Sequence, residues 1–208
     1  MKKLDPTLYL VTNSDGMNEA DFLNTIALAC EGGVTLVQLR EKNLTGREYF
    51  DLAIKVKIVT DKYNVPLIID DRTDIALAVN ASGVHLGQTD LPIATARAMM
   101  GANKIVGATA KTVEQAKDAE AAGADYLGVG AIYPTKTKVI TVLTPIKTLS
   151  DIVKTVKIPV IAIGGLNAEN LTPLYGSGAK GIAVVRAIME SKTPNETATE
   201  LLNLAQKL

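Results

Sequence analysis

Asp71 and Asp90 each follow a short apolar run, with no His or Cys ligand beside them. Oxygen-only donors suit a hard ion such as Mg²⁺, which takes one or two protein carboxylates and leaves its other positions to water and phosphate oxygens. Arg40, Lys42 and Lys138 supply the opposite charge. A guanidinium fork and two ammonium point charges around such an ion describe a grip on a di- or triphosphate. Thr135 and Thr137 alternate with lysines in a Gly/Pro-bounded loop, where hydroxyls and free amides suit a second anion. Gly164-Gly165, completed by the amides at Val185 and Arg186, offers a phosphate cradle. Lys136 alone reads as solvated, and Asp74 as a helix-capping partner of Arg72. Nucleophilic and zinc chemistry find little support. His85 is the only histidine and lies inside an apolar run, as a packed or hydrogen-bonded core residue would; Cys30 belongs to an apolar helical stripe.

Residues spread from position 40 to position 186 must be gathered by the fold. Short runs rich in Val, Ile and Leu predict strands at Leu8–Thr12, Thr35–Leu39, Pro66–Asp70, Val84–Leu86, Ile105–Thr109, Tyr126–Val129, Val160–Ile163 and Ile182–Val185. They are apolar on both faces, as parallel strands covered by helices are. Helix starts are signalled by Thr45-Gly46-Arg47-Glu48, Thr112-Val113-Glu114-Gln115 and Thr193-Pro194-Asn195-Glu196, which read as capping boxes. Apolar stripes at helical spacing follow, such as Tyr49, Leu52, Ala53 and Val56. Joints at Gly32-Gly33, Gly83, Gly123 and Gly178 place a glycine where a helix needs a left-handed residue to stop.

Eight such units in 208 residues, about 26 residues each, predict an α/β fold: a single (β/α)8 TIM barrel over 1–208. A doubly wound sheet would want a Gly-rich first turn, which Asn13-Ser14-Asp15-Gly16 is not. Barrels carry their active sites on the loops after the strands, and the ionic residues named above fall there.

Charge is balanced, with 22 Lys+Arg against 22 Asp+Glu, so neither nucleic acid nor an acidic membrane is the expected partner. One cysteine excludes an intramolecular disulfide framework. No apolar stretch follows Met1-Lys2-Lys3, and no run approaches the roughly 18 apolar residues of a membrane helix. The expectation is a cytoplasmic protein acting on small molecules, with homo-oligomerisation left open.

Several segments together resemble the thiamin-phosphate synthase family. They are Tyr9-Leu10-Val11-Thr12, Gln38-Leu39-Arg40-Glu41-Lys42, Leu67 to Arg72, Gly83-Val84-His85-Leu86-Gly87-Gln88 with Asp90, Gly128 to Lys138, Ile161 to Gly165, and Ala183 to Ile188. The resemblance implies that a hydroxymethylpyrimidine diphosphate is joined to a thiazole phosphate, with release of pyrophosphate. It implies that Gln38, Leu39, Arg40, Glu41 and Lys42 hold the pyrimidine diphosphate with Asp70, and that Asp71 and Asp90 bind Mg²⁺. By the same resemblance Thr109 meets the pyrimidine, Thr135, Lys136 and Thr137 bind the thiazole phosphate, and Lys138 binds pyrophosphate. Gly165, Val185 and Arg186 would cradle the thiazole phosphate through backbone amides. The catalytic cations would be Arg40, Lys42 and Lys138.

This chain departs from the pattern at Asp70, where asparagine is usual, at Thr109 and Arg186, where serine is usual or frequent, and at Ala131, where proline is frequent. A second carboxylate beside a pyrophosphate repels it unless a cation or proton compensates. Residues 139–143 are more apolar than the resemblance leads one to expect. Two alternatives stay open: a thiazole tautomerase on the same barrel, which needs neither the carboxylate pair nor the full cation grip, and a non-catalytic phosphate-ligand sensor or inactive partner subunit.

Overall fold

A computed structural model describes residues 4–135 and 142–208. Its strands are β1 (Leu8–Val11), β2 (Leu36–Leu39), β3 (Leu67–Asp70), β4 (Gly83–Leu86), β5 (Ile105–Ala110), β6 (Tyr126–Gly130), β7 (Val160–Ile163) and β8 (Gly181–Val184). Each pairs in parallel with the next, and β8 returns to β1, so the sheet closes as a (β/α)8 barrel. The helices are α1 (Glu19–Glu31), α2 (Gly46–Lys62), α3 (Thr73–Ala78), α4 (Ile93–Met100), α5 (Val113–Ala121), α6 (Ile146–Thr155), α7 (Arg186–Met189) and α8 (Pro194–Ala205). No described helix is long and apolar enough to cross a membrane.

Side chains alternate across each strand, and the two faces form two cores. Outward residues such as Leu10, Val37, Leu39, Ile69 and Val84 pack under the helices. Inside the barrel Tyr9, Leu36, Ile68, Ile105, Tyr126 and Ile161 form a separate cluster. One inward step further along the strands the character changes: Leu36 gives way to Gln38, Ile68 to Asp70, Gly83 to His85 and Gly107 to Thr109. The C-terminal end of the barrel is therefore polar above an apolar plug.

The opposite end is clamped by Arg97. Its guanidinium donates to the carbonyls of Gly101 (2.8 Å) and Lys104 (2.7 Å) on the α4–β5 joint, and to Gly123 (2.9 and 3.0 Å) on the α5–β6 joint. It also pairs with Asp125, whose Oδ2 accepts from the Val106 amide at 2.8 Å.

Three local expectations are corrected. Between β7 and β8 there is only a one-turn 3-10 helix, Thr172–Leu174, while two helices follow β8. Asparagine side chains compete with helix there: Asn170 bonds the Gly165 carbonyl (2.8 Å) and the Asn167 amide (3.0 Å), and Asn167 accepts from the Glu169 amide (2.9 Å). Of the three capping boxes, only Thr45–Glu48 is complete; Thr112 bonds the Gln115 amide, and Thr193 makes no side-chain cap. Ser191 occupies that corner, accepting from the Thr193 amide (3.1 Å) and bonding the Thr197 hydroxyl (2.8 Å). Of the four glycine joints, Gly33, Gly123 and Gly178 have positive φ, but Gly83 does not; Asn80 (φ 53°) makes that turn. Gly83 instead starts β4 where a Cβ would lie 2.2 Å from the Ile105 carbonyl oxygen.

Candidate active site

A cavity of about 910 Å³ opens at the C-terminal end of the barrel. It brings together Arg40, Lys42, Asp70, Asp71, Asp90 and Thr109 from the β2 to β5 side with Thr135, Gly165, Val185 and Arg186 from the β6 to β8 side. Lys136, Thr137 and Lys138 lie outside the described residues, as do residues 139–141 of the apolar stretch; Val142 and Leu143 are exposed.

Charges pair across the β2 and β3 ends. Lys42 Nζ is 2.8 Å from Asp70 Oδ2 and also contacts Asp71 Oδ2, while Arg40 Nε stands 3.8 Å from Asp70 Oδ2. Burial opposes the Lys42 charge, but Asp70 and Asp71 outweigh it and leave the ammonium held above its ordinary range. Burial pushes the Asp70 carboxyl up, Lys42 and Arg40 pull it back, and Asp90 adds to the rise. Asp71 occupies a left-handed conformation (φ 61°), and its amide donates to the His85 carbonyl at 2.8 Å. The Gly87 amide donates to Asp90 Oδ2 at 2.7 Å. Burial first, and then the facing Asp71 carboxyl, raise Asp90 above the usual carboxylate range.

Two carboxylates that face each other so closely that one raises the proton affinity of the other are a place where a cation relieves repulsion. Among the described residues no cluster of three or more His, Cys, Asp or Glu side chains could hold a metal. The donor set is thus two carboxylates open to the cavity, which fits Mg²⁺ with most of its positions left to other oxygens.

The other positions divide. Gln38 and Thr109 face the cavity, but Leu39 packs in the outer core and does not line it, its carbonyl accepting there from the Tyr49 hydroxyl at 2.7 Å. Glu41 turns to the β1–α1 loop, where its Oε2 accepts from Ser14 Oγ at 2.8 Å; Oε1 is buried without a hydrogen-bond partner among the described residues, and burial raises its pKa. Gly165 (φ 69°) lies where a Cβ would be 2.6 Å from the Pro134 carbonyl oxygen, so the β6 and β7 loops touch through it. Arg186 gives its guanidinium to Glu190 one turn on (Nη2–Oε2 2.8 Å), and both residues line the cavity. Asp74 pairs with Arg72, and Cys30 is buried in the core with its thiol pushed up to about 12.

The model of one family, described as thiamine monophosphate synthase, matches residues 8–188, which include all eight strands and the rim from Arg40 to Arg186. The chain belongs to that family. A thiamine-phosphate synthase of Methanobrevibacter smithii is 52% identical over 202 residues, 97% of this chain and 96% of that protein. A thiamine-phosphate synthase 2 of Streptococcus pneumoniae is 55% identical over 185 residues, covering 89% of this chain and 88% of that one. Among solved structures, a thiamine phosphate pyrophosphorylase from Pyrococcus furiosus superposes with TM-score 0.88 at 37% identity, over 97% of this chain and 96% of that one.

In this thiamine monophosphate synthase fold, sequence reasoning missed Tyr9 and Tyr126 and the hydrogen bonds by which they link Gln38, His85 and Thr109. Tyr9, Gln38, His85, Thr109 and Tyr126 are hydrogen-bonded in series inside the barrel. The signal available was two strand glycines, Gly107 and Gly128, whose missing Cβ atoms leave room for rings: a Cβ would lie 2.2 Å from Tyr126 Cζ and 3.3 Å from His85 Cε1 respectively.

Proposed function

We propose that this barrel joins a hydroxymethylpyrimidine diphosphate to a hydroxyethylthiazole phosphate, releasing pyrophosphate and giving thiamin phosphate, by breaking the carbon–oxygen bond before the new bond forms. The observation that supports it is the single rim on which Asp71 and Asp90 face each other beside Arg40 and Lys42. An electron-rich aminopyrimidine stabilises a methylene cation by resonance, so the leaving pyrophosphate departs with the bonding pair and no covalent protein nucleophile is needed. The thiazole nitrogen then supplies the electron pair of the new carbon–nitrogen bond.

The residues' work is electrostatic and positional. Arg40 and Lys42, joined by Lys138, hold the diphosphate and take up charge as it leaves. Gln38 and Thr109 orient the pyrimidine; Leu39 and Glu41 contribute through the backbone between them. Thr135, Lys136 and Thr137, with the amides of Gly165, Val185 and Arg186, fix the thiazole phosphate so that its ring nitrogen meets the methylene carbon. Asp71 and Asp90 would hold Mg²⁺, which when bound supplies further charge neutralisation at the pyrophosphate. The reading takes 1–208 as one cytoplasmic barrel domain. A tautomerase has no use for the Asp71–Asp90 pair or the Arg40/Lys42 grip, and their presence favours the synthase.

The test is pyrophosphate release with both substrates, with and without Mg²⁺, alongside isothermal titration of each substrate. Release that needs both substrates and the ion is expected. Binding without turnover would make the chain a sensor, and indifference to the pyrimidine diphosphate would make it a tautomerase.

A further inference from the structure

Five side chains from five strands run in series through the barrel. Gln38 Nε2 donates to Tyr9 Oη at 2.7 Å, Tyr9 Oη and Tyr126 Oη are 2.7 Å apart, and Tyr126 Oη is 3.0 Å from His85 Nδ1. His85 Nε2 lies 3.0 Å from Thr109 Oγ1. The rings are seated, not merely adjacent: Tyr9 and Tyr126 meet edge to face with centroids 5.8 Å apart, and His85 stacks on Tyr126 at 5.5 Å. The two ends, Gln38 and Thr109, line the cavity together with His85, while Tyr9 and Tyr126 do not.

Proton counting gives the series a direction. Burial holds both tyrosines protonated, so each has one hydrogen to donate. Tyr9 accepts from the Gln38 amide, and its only other partner among the described residues is Tyr126, so its hydrogen goes there. Tyr126, having accepted from Tyr9, donates to His85 Nδ1. Nδ1 accepts that hydrogen, so the imidazole's own hydrogen sits on Nε2 and is donated to Thr109 Oγ1. With the Gln38 amide nitrogen facing Tyr9, the reverse direction would leave the Tyr9 hydrogen buried without an acceptor, at a cost a folded core avoids.

We propose that this one-way series fixes His85 as the Nε2–H tautomer and thereby aims the Thr109 hydroxyl hydrogen into the cavity, where it donates to an unprotonated ring nitrogen of the pyrimidine. Tyr9, Tyr126 and His85 are then positioning residues. At the other end, Gln38 spends its amide nitrogen on Tyr9 and keeps its carbonyl oxygen as an acceptor. The cavity thus offers an acceptor at the end of β2 and a donor at the end of β5. That pattern selects a flat heteroaromatic ring carrying an amino group on one side and a bare ring nitrogen on the other. This inference rests on the synthase reading for the identity of the ring, but not for the tautomer.

His85 is the chain's sole histidine, so ¹⁵N-histidine labelling reports it without ambiguity in NMR spectra. In the full-length protein without substrate, Nε2 is expected to be protonated and Nδ1 bare. A protonated Nδ1, which a Gln38 amide turned the other way round would produce, overturns the proposal. Tyr126→Phe removes the donor to Nδ1 while keeping the ring. It is expected to abolish the single tautomer and to raise KM for the pyrimidine diphosphate about tenfold, leaving KM for the thiazole phosphate within about twofold. An unchanged tautomer with both KM values unchanged also overturns it. Tyr9→Phe interrupts the series one step further from the cavity and should act in the same direction. Because the tautomer is read without substrate, a wild-type protein lacking turnover would refute the synthase reading while the direction of the series remained measurable.

Discussion

The Lys42 ammonium stands 2.8 Å from the Asp70 carboxylate, so the cation placed to grip a diphosphate is already engaged by a neighbouring anion. Arg40 lies 3.8 Å from the same oxygen. Asp70→Asn keeps the shape and removes the competitor. Activity is expected to persist, with half-maximal rate at an equal or lower Mg²⁺ concentration. A fall in kcat/KM of more than about tenfold would show that the charge itself is required.

Asp90→Ala and Lys138→Ala test the electrostatic account of the reaction. Under saturating substrates each should cut turnover by more than about tenfold, because each removes charge stabilisation that grows as pyrophosphate leaves. Rates within a factor of about two of wild type would refute it.

Gly165→Ala probes the thiazole-phosphate side. Its φ of 69° disfavours an L side chain, and the new Cβ would lie 2.6 Å from the Pro134 carbonyl oxygen and 2.8 Å from Tyr133 Cβ. The variant should lose roughly 1–2 kcal/mol of stability. Its KM for the thiazole phosphate should rise, while that for the pyrimidine diphosphate stays within about twofold. Equal effects on the two KM values would place Gly165 elsewhere in the chemistry.

Acid should weaken the fold through His85. Burial lowers its pKa from 6.5 to about 4. Between those values the unfolded chain takes up a proton that the folded imidazole refuses, so stability from this group is complete above about pH 6.5 and is lost as pH falls toward 4. The loss approaches roughly 3 kcal/mol. Urea unfolding at pH 7 and pH 4.5 should show a smaller pH effect in His85→Gln than in wild type; identical differences would contradict the assignment.

The barrel was readable because parallel strands buried on both faces leave continuous Val/Ile/Leu runs, and all eight appear within a residue or two of where those runs place them. Arg40, Lys42, Asp71 and Asp90 were readable as ionic residues on the loops that follow such runs. The series from Gln38 to Thr109 was not. A tyrosine such as Tyr9 or Tyr126 within an apolar run has the same pattern as any core aromatic, and its hydroxyl partner is set by strand stagger. The turn after β7 was misread for a related reason: side-chain bonds from Asn167 and Asn170 outcompete helix locally.

Arg97 binds two consecutive joints at the closed base of the barrel, far along the strands from the rim that carries charge. A lysine has no second arm with which to reach both joints, so Arg97→Lys should lower the melting temperature and leave both Michaelis constants alone. One anchor of durability is thus lodged at the pole opposite the chemistry, where a substitution tests how firmly the chain holds together without touching substrate handling at the mouth.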